Sequence, residues 1–273
     1  MNSILVHLNA YIDWTPSIDA AIGLARKLEA KLTGLFTTRE LAMLKLMLHD
    51  DHPAVREAES RDAVQIDKAR ARFLEACADA GLKSEFDVGE GDAHELLCLA
   101  GRCHDLVVIE HSRTGFDRIG NDSAEECAIA CGTPTVIVPR TGDFAEIGQC
   151  IVVAWNNSRQ AAAAVHGALP LISRADKVVA VIGEDRDAMP SVTRRPRTDL
   201  AEYLGYYNTN VEVVPFTDQA GNTGLSLQET ARRLGGDMLV MGAYGRPSWR
   251  QLIFGGTTQE VMSELSLPVL MAH

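Results

Sequence analysis

The segment "GDMLVMGAYGRPSWRQLIFGGTTQEVMSELSLPVLMA" (residues 236–272) has an earlier counterpart, "HDLVVIEHSRTGFDRIGNDSAEECAIACGTPTVIVP" (residues 104–139). Each segment passes from an apolar run through a polar loop and a helix-like stretch to a Pro and a second apolar run. Pro134 and Pro268 hold the same place in the two segments, and a Pro there ends a helix and begins an extended stretch. The match indicates an internal duplication.

The regions that precede these segments also repeat. Residues 3–37 and residues 150–183 each have the pattern strand, loop, Ala-rich helix, strand. Short apolar runs such as "DLVVI" and "KVVAVI" are typical of parallel strands that are buried on both faces. The sequence therefore predicts an α/β fold of two tandem, doubly wound, five-stranded parallel sheets, with domains at residues 1–142 and 147–273. The long helical region of the first half is expected to break at "DDHPA" (residues 50–54).

Composition limits the classes of partner. The 273-residue chain is 46% hydrophobic and 5% aromatic, so it can build cores that consist mainly of aliphatic residues. Its formal net charge of −11 disfavours nucleic acid and anionic membrane surfaces as partners. The N-terminal stretch lacks a basic region and a cleavage site, and no apolar run reaches the roughly 18 residues of a membrane span. A cytoplasmic location is expected.

The six cysteines do not follow a standard metal-binding pattern. There is no C-x-x-C pair, and the spacing of Cys98 and Cys103 with His94 and His104 matches no common zinc motif. Buried structural thiols are the preferred interpretation, and no metal ligand is predicted. A structural or solvated role is likewise preferred for His7 over that of a catalytic base.

Four glycines surround a polar segment in the second half. Gly242 and Gly245 follow an apolar strand, and Gly255 and Gly256 precede a helix. We expect the first pair to allow a sharp turn, and the second pair to leave the helix N-terminus bare. Free N–H groups and the positive end of the helix dipole would then be available to phosphate, with no opposing carboxylate.

The glycine segment resembles the universal stress protein family, and the resemblance extends over the whole chain as two tandem domains. Nucleotide-binding members carry G-x2-G-x9-G followed by Ser or Thr. The chain has the glycine spacing, with Gly256 at the position of the hydroxyl residue and Thr257 directly after it. The resemblance implies an adenine nucleotide α-hydrolase-like fold that binds ATP, or AMP or ADP, with Mg²⁺ accompanying the phosphates.

The resemblance also implies which residues would contact the nucleotide. The end of the first strand of the second half would hold the base, with Asn156 where ATP-binding members commonly have Asp, and the end of the next strand would border the adenine. Tyr244 would pack over the sugar or close the loop. The predicted nucleotide-binding residues are Ala154, Trp155, Asn156, Ile182, Gly183, Met241, Gly242, Tyr244, Gly245, Arg246, Gly255, Gly256, Thr257 and Thr258.

The first half departs from this pattern. Glu110 stands in place of Gly242, Arg113 in place of Gly245, and Asn121 with Asp122 in place of Gly255 with Gly256. Acidic groups at this place would repel phosphate, so the first half is expected to lack a nucleotide site. The family resemblance further implies pairing through the last strands, "PTVIV" and "PVLMA", either between the two halves or in a homodimer, since an exposed last strand invites pairing.

Three functions stay open from the sequence. The first is a stress-response protein that binds an adenine nucleotide in the second half, acts through conformation or partner binding, and hydrolyses the nucleotide slowly or not at all. The second is a nucleotide-hydrolysing or nucleotidyl-transferring enzyme, against which the absence of an S-G-G-x-D-S loop and of a Walker lysine counts. The third is an interaction or dimerisation module without a ligand, in which the glycines only form turns.

Overall fold

The computed structural model describes residues 1–8, 14–111, 124–183, 199–218, 222–243 and 256–273. The chain divides into two compact units, Met1–Ala145 and Glu146–His273. This division falls between the two domain ends that the sequence suggests, 142 and 147. Among the described residues, no helix is both long enough and apolar enough to span a bilayer.

The first unit alternates strands and helices. Its elements in chain order are β1 (Ser3–Leu8), α1 (Pro16–Leu28), β2 (Lys31–Thr38), α2 (Arg39–Met47), α3 (Pro53–Asp79), β3 (Ser84–Glu90), α4 (Ala93–Gly101), β4 (Leu106–Glu110), α5 (Ala124–Ala130) and β5 (Thr135–Val138). The strands are parallel and lie side by side in the order β3-β2-β1-β4-β5.

The second unit repeats this plan. Its elements are β6 (Cys150–Trp155), α6 (Arg159–Ile172), β7 (Lys177–Ile182), α7 (Leu200–Gly205), β8 (Val211–Pro215), α8 (Thr223–Arg233), β9 (Met238–Gly242), α9 (Gly256–Ser263) and β10 (Val269–Ala272). These strands are also parallel, in the order β8-β7-β6-β9-β10. The predicted fold class, tandem doubly wound parallel sheets of five strands each, is confirmed.

Burial explains why these segments form strands. The central strands β1 and β6 are apolar on both faces, and residues such as Ile4, Val6, Ile151 and Val153 are fully buried. The outermost strands β3 and β8 carry exposed residues among partly buried ones, as expected where helices cover them less completely.

The predicted break in the long helical region is confirmed. α2 ends at Met47 and α3 begins at Pro53, so the break overlaps the first three residues of the "DDHPA" segment, and its last two belong to α3. The His52 side chain accepts a hydrogen bond from the Ala54 N–H and caps α3, with Pro53 at the first helical position, where a Pro loses no bond. Pro134 and Pro268 directly precede β5 and β10.

The cysteines depart partly from expectation. Cys77, Cys98, Cys127 and Cys131 are buried, as predicted, but Cys103 is exposed and Cys150 is only partly buried. Cys103 follows the end of α4, in a turn that leads to β4, which explains its exposure. The prediction that all six are buried thiols is therefore wrong for these two.

Candidate functional site

The order of strands in the second unit reverses between β6 and β9. From β6 the chain proceeds outward to β7 and β8, then returns to place β9 on the other side of β6, with Ile151 opposite Met238 and Val153 opposite Val240. Ligands in doubly wound sheets bind beyond the C-terminal ends of the strands at this switch point. The C-terminal ends of the parallel strands all lie at one end of each unit's sheet, and we call that end the carboxyl edge of the unit.

A three-residue connection begins at the carboxyl edge of β6. The Asn156 Oδ1 atom accepts hydrogen bonds from the Ser158 N–H (3.2 Å) and from the Ser158 hydroxyl (2.7 Å). Asn157 has a φ of 58°, a left-handed conformation that Asn tolerates better than most residues. Ser158 then caps α6 by accepting a bond from the Ala161 N–H. The turn uses the oxygen of Asn156 and leaves its NH₂ group to other partners.

The neighbouring strand ends are joined through their backbones. The Gly183 N–H donates to the Trp155 carbonyl (2.8 Å), and the Phe216 N–H donates to the Ile182 carbonyl (2.8 Å). Of the atoms in the described residues, a Cβ atom at Gly183 would meet only the Trp155 carbonyl oxygen, at an ordinary contact distance of 3.6 Å. Of the predicted base-binding residues, Trp155, Asn156, Ile182 and Gly183 thus lie together at adjacent strand ends.

Gly242 has a role in packing that the sequence did not reveal. Gly242 itself is the last residue of β9 and lies opposite Ala272, whereas Gly245, the other glycine of the expected turn, lies outside the described residues. A Cβ at Gly242 would lie 2.5 Å from both the Ala161 nitrogen and the Gln160 carbonyl carbon. Such contacts are far below van der Waals distance, so the glycine is required because the first turn of α6 packs directly on the end of β9. The preceding residue of β9, Met241, is buried.

The helix α9 begins at the residues that the sequence assigns to phosphate binding. Gly256 is its first residue and is exposed, Thr257 is partly buried, and Thr258 is buried at 4% exposure. Among the described residues, a Cβ at Gly256 would approach only the Glu260 side chain, whose Oε1 atom would lie 3.3 Å away. Within that part of the chain, the Glu260 carboxylate is therefore the one group close to the first position of the helix.

The Glu260 carboxylate contradicts the expectation that acidic groups are absent here. Its Oε2 atom accepts a hydrogen bond from the Gly224 N–H (2.8 Å). Glu260 thus provides an acceptor for one of the N–H groups in the first turn of α8, which have no acceptor within the helix. Gly224 allows this arrangement because a Cβ there would lie 2.6 Å from the Val261 nitrogen. The sequence signal was available, since residues four apart on a helix share a face and Glu260 follows Gly256 by four.

Four of the predicted nucleotide-binding residues, Tyr244, Gly245, Arg246 and Gly255, lie outside the described residues. The same holds for Arg113, Asn121 and Asp122 in the first half. The described part of the glycine segment therefore consists of Gly242 and of the helix start at Gly256, Thr257 and Thr258.

The carboxyl edge of the first unit carries a charged pair. Glu110, the last residue of β4, lies 3.6 Å from the Arg140 guanidinium. Burial raises the pKa of Glu110 above its ordinary value, and the nearby Arg140 charge partly opposes this effect. On the adjacent strand, His7 Nε2 lies 3.1 Å from the Thr37 hydroxyl, and burial lowers the pKa of His7 to about 4. His7 is thus a neutral, hydrogen-bonded side chain, with a partner that the sequence did not reveal.

The family model described as "Universal stress protein family" matches residues 149–273. A universal stress protein from Archaeoglobus fulgidus DSM 4304 superposes with a TM-score of 0.71 at 15% identity, covering 99% of this chain and 98% of that one. A functionally unknown protein from Pseudomonas aeruginosa PAO1 gives 0.58 at 14% identity, covering 100% and 92%. No curated protein matches the chain.

The family match and the structural match cover different parts of the chain. The family model covers nearly all of the second unit, whereas the structural likeness covers both units and, at this level of identity, shows the fold alone. The second unit therefore belongs to the universal stress protein family, and the first unit repeats its fold within a chain of the tandem type.

Proposed function

We propose that this chain is a cytoplasmic stress-response protein that binds ATP, or a related adenine nucleotide, at the carboxyl edge of its second unit. The observation that carries the proposal is the meeting of strand ends at the β6/β9 switch point in a unit whose α9 begins with Gly256, Thr257 and Thr258. Helix N-termini bind phosphate through N–H groups that lack intrahelical partners.

The described residues fit such a ligand in most respects. The N–H groups of the first turn of α9 and the Thr257 hydroxyl would hold phosphate oxygens. The Asn156 NH₂ group and the open backbone at Gly183 would receive the base or the ribose. Glu260 opposes the phosphates, and Mg²⁺ accompanying them would offset its charge. Metal binding would supply charge neutralisation in this site.

Slow or absent hydrolysis is part of the proposal. The polar side chains that the described residues bring to this site are mainly Asn156, Thr257 and Thr258, and none of these is a general base at neutral pH. The Glu260 carboxylate already accepts the Gly224 N–H. Nucleotide binding would then act by ordering this edge for a protein partner.

A second candidate, an interaction module without a ligand, is favoured by one observation. Gly242 is fully explained by its contact with Gln160 and Ala161, so it needs no nucleotide to account for it. Pairing of two chains through the last strands stays a prediction for either candidate, and sedimentation equilibrium would test it.

Calorimetric titration with ATP and Mg²⁺ separates the two candidates. The nucleotide-binding proposal predicts one site per chain. In Gly256→Asp a carboxylate stands at the first position of α9, where the helix dipole favours it, Glu260 opposes it and phosphate is repelled. Binding should therefore weaken by at least about tenfold, or 1.4 kcal/mol, while circular dichroism shows the fold retained.

The matched control is Gly256→Ala, which adds a Cβ at the same exposed position without a charge. It should retain binding more closely than Gly256→Asp. Absence of any heat of binding in the wild type, with the fold intact by circular dichroism, would favour the interaction module. A stoichiometry of two would show that the first unit also binds nucleotide and would contradict the one-site proposal.

A further inference from the structure

Three thiols converge in the first unit, far along the chain from the nucleotide-binding segment. Cys98 lies on α4, Cys127 lies on α5, and Cys131 follows α5 directly. The Cys127 and Cys131 sulfurs are 3.2 Å apart, the Cys131 and Cys98 sulfurs are 3.4 Å apart, and all three lie within 4.8 Å of one another. The group is buried, with 2–6% of each residue exposed.

The local sequence explains why the sulfurs meet. Cys127 and Cys131 are four residues apart and share one helix face, since the Cys131 N–H donates to the Cys127 carbonyl. His94 and Cys98 have the same spacing on α4, and His94 Nε2 lies 3.4 Å from the Cys98 sulfur. Gly101 lies beside this cluster: a Cβ there would lie 2.9 Å from a Val107 methyl carbon, which is too close, and 3.4 Å from the Cys131 sulfur.

We propose that Cys98, Cys127 and Cys131 form a binding site for a thiophilic metal ion, Zn²⁺, with His94 as the fourth ligand. Three sulfur donors and an imidazole form a Cys₃His set, which is a standard set for structural zinc. Soft thiolates select Zn²⁺ over the oxygen-preferring Mg²⁺ and Ca²⁺. Binding would release the thiol protons, since the metal takes thiolates.

The distances require only small adjustments. Zinc–sulfur bonds of about 2.3 Å in a tetrahedron place the sulfurs about 3.8 Å apart, so the Cys131 sulfur must separate by a few tenths of an ångström from those of Cys127 and Cys98. The ring of His94 must turn from its contact with Cys98 toward the centre of the three sulfurs. A disulfide would instead need a sulfur–sulfur distance of about 2.05 Å and would leave one thiol unused.

Such a site would tie α4 to α5 and so brace the helix that leads into β5. Sequence spacing did not predict it, because its ligands form two helix-borne i, i+4 pairs, H-x3-C and C-x3-C, in place of the familiar C-x2-C knuckles. The helical period brings each pair to one face, and only the packing of α4 on α5 brings the two pairs together.

The test uses the full chain, prepared under reducing conditions and stripped of metal by a chelator. Titration with Co²⁺ should give one equivalent per chain, with thiolate-to-cobalt charge-transfer absorption and tetrahedral d–d bands that Zn²⁺ then abolishes. The melting temperature should rise on adding Zn²⁺ and fall again with the chelator. His94→Ala should weaken Co²⁺ binding by about tenfold or more.

The variants Cys98→Ser and Cys127→Ser should lose the charge-transfer absorption. Two matched controls are Cys77→Ser, a buried thiol outside the cluster, and Cys103→Ser, an exposed thiol near the end of α4; both should retain it. The proposal is overturned if the folded wild type shows no charge-transfer band with Co²⁺. It is also overturned if both controls lose the band as fully as the cluster variants.

Discussion

The last residue of β4 is Glu110, whereas the equivalent last residue of β9 is Gly242. The connections beside these two strand ends also differ. In the first unit seven residues (9–15) join β1 to α1, whereas in the second only three (156–158) join β6 to α6. The short connection holds the first turn of α6 against the end of β9, where a Cβ would collide with main-chain atoms.

The opposite ends of the same strands are alike in the two units. Asp105 precedes β4, and its carboxylate accepts the N–H groups of Asn2 and Ser3. Asp237 precedes β9, and its carboxylate accepts those of Gly148, Gln149 and Cys150. In both units the Asp N–H also donates a hydrogen bond to the first strand: that of Asp105 to the Ser3 carbonyl, and that of Asp237 to the Cys150 carbonyl.

The amino ends of the strands stabilise the fold in the same way in both units, whereas the carboxyl ends distinguish one unit from the other. The Asp pairing at the amino end ties the first strand to the fourth in each unit, and the duplication has kept it in both. The carboxyl ends, where a ligand would bind, have diverged in loop length and in charge. Divergence at the ligand side is expected when one unit keeps a site that the other lacks.

The largest expected effect on stability comes from adding a methyl group at Gly242, the strand end at which the two units differ. Gly242→Ala should lower the free energy of unfolding by about 3 kcal/mol, at the upper end of the range for overpacking, because the colliding atoms belong to the main chain of α6 and cannot rotate away. Urea denaturation would measure this loss.

Gly183→Ala is the matched control for that variant, because its Cβ would meet only one atom of the described part of the chain, at an ordinary 3.6 Å. It should change stability by less than about 0.5 kcal/mol. Equal losses in the two variants would show that helix packing does not explain Gly242, and the contrast between the connections would lose its physical basis.

The shared amino ends should respond unequally to loss of the carboxylate. Asp237→Ala removes three hydrogen bonds that are partly buried and should cost about 2 kcal/mol. Asp105→Ala removes two exposed bonds, which water can replace, and should cost about 1 kcal/mol. Thermal unfolding of both variants would show which of them loses more stability. A larger loss in Asp105→Ala would contradict the view that burial sets the strength of each pairing.

The Asp105 pairing also predicts a pH dependence. Hydrogen bonds from Asn2 and Ser3 hold the pKa of Asp105 below its ordinary value of 3.8. The folded state therefore binds this proton less tightly than the unfolded state, so the stabilisation is present above the ordinary pKa and is lost as the pH falls through the folded one. The stability difference between wild type and Asp105→Asn should shrink on acidification below about pH 4.

Much of the fold follows from sequence pattern because its cause is local. Apolar runs such as residues 106–109 and 238–241 are strands because both of their faces are buried, and Pro134 and Pro268 mark where the last strands begin. The helix break before Pro53 is equally local. Such features depend on neighbours in the chain, so periodicity and turn residues are sufficient to predict them.

The parts of the site that the sequence did not predict depend on contacts between distant residues. A side chain at Gly242 would collide with main-chain atoms of Gln160 and Ala161. The Glu260 carboxylate is held near the start of α9 by the hydrogen bond that it accepts from the Gly224 N–H. Cys98 meets Cys131 only when α4 packs on α5. A spacing rule cannot reveal these pairs, since each requires two elements that the chain order does not place together.

The smallest expected effect concerns Glu110, the charged counterpart of Gly242. Because burial raises its pKa above the ordinary 4.5, the folded state holds the proton more tightly, and stability falls as the pH rises from 4.5 through the folded value. Glu110→Gln does not titrate, so its stability relative to wild type should improve between pH 4 and about pH 7. Urea denaturation at both pH values would measure the change. A relative decline would mean that attraction to Arg140 outweighs the cost of burial, and the carboxyl edge of the first unit would then be stabilised by its charge.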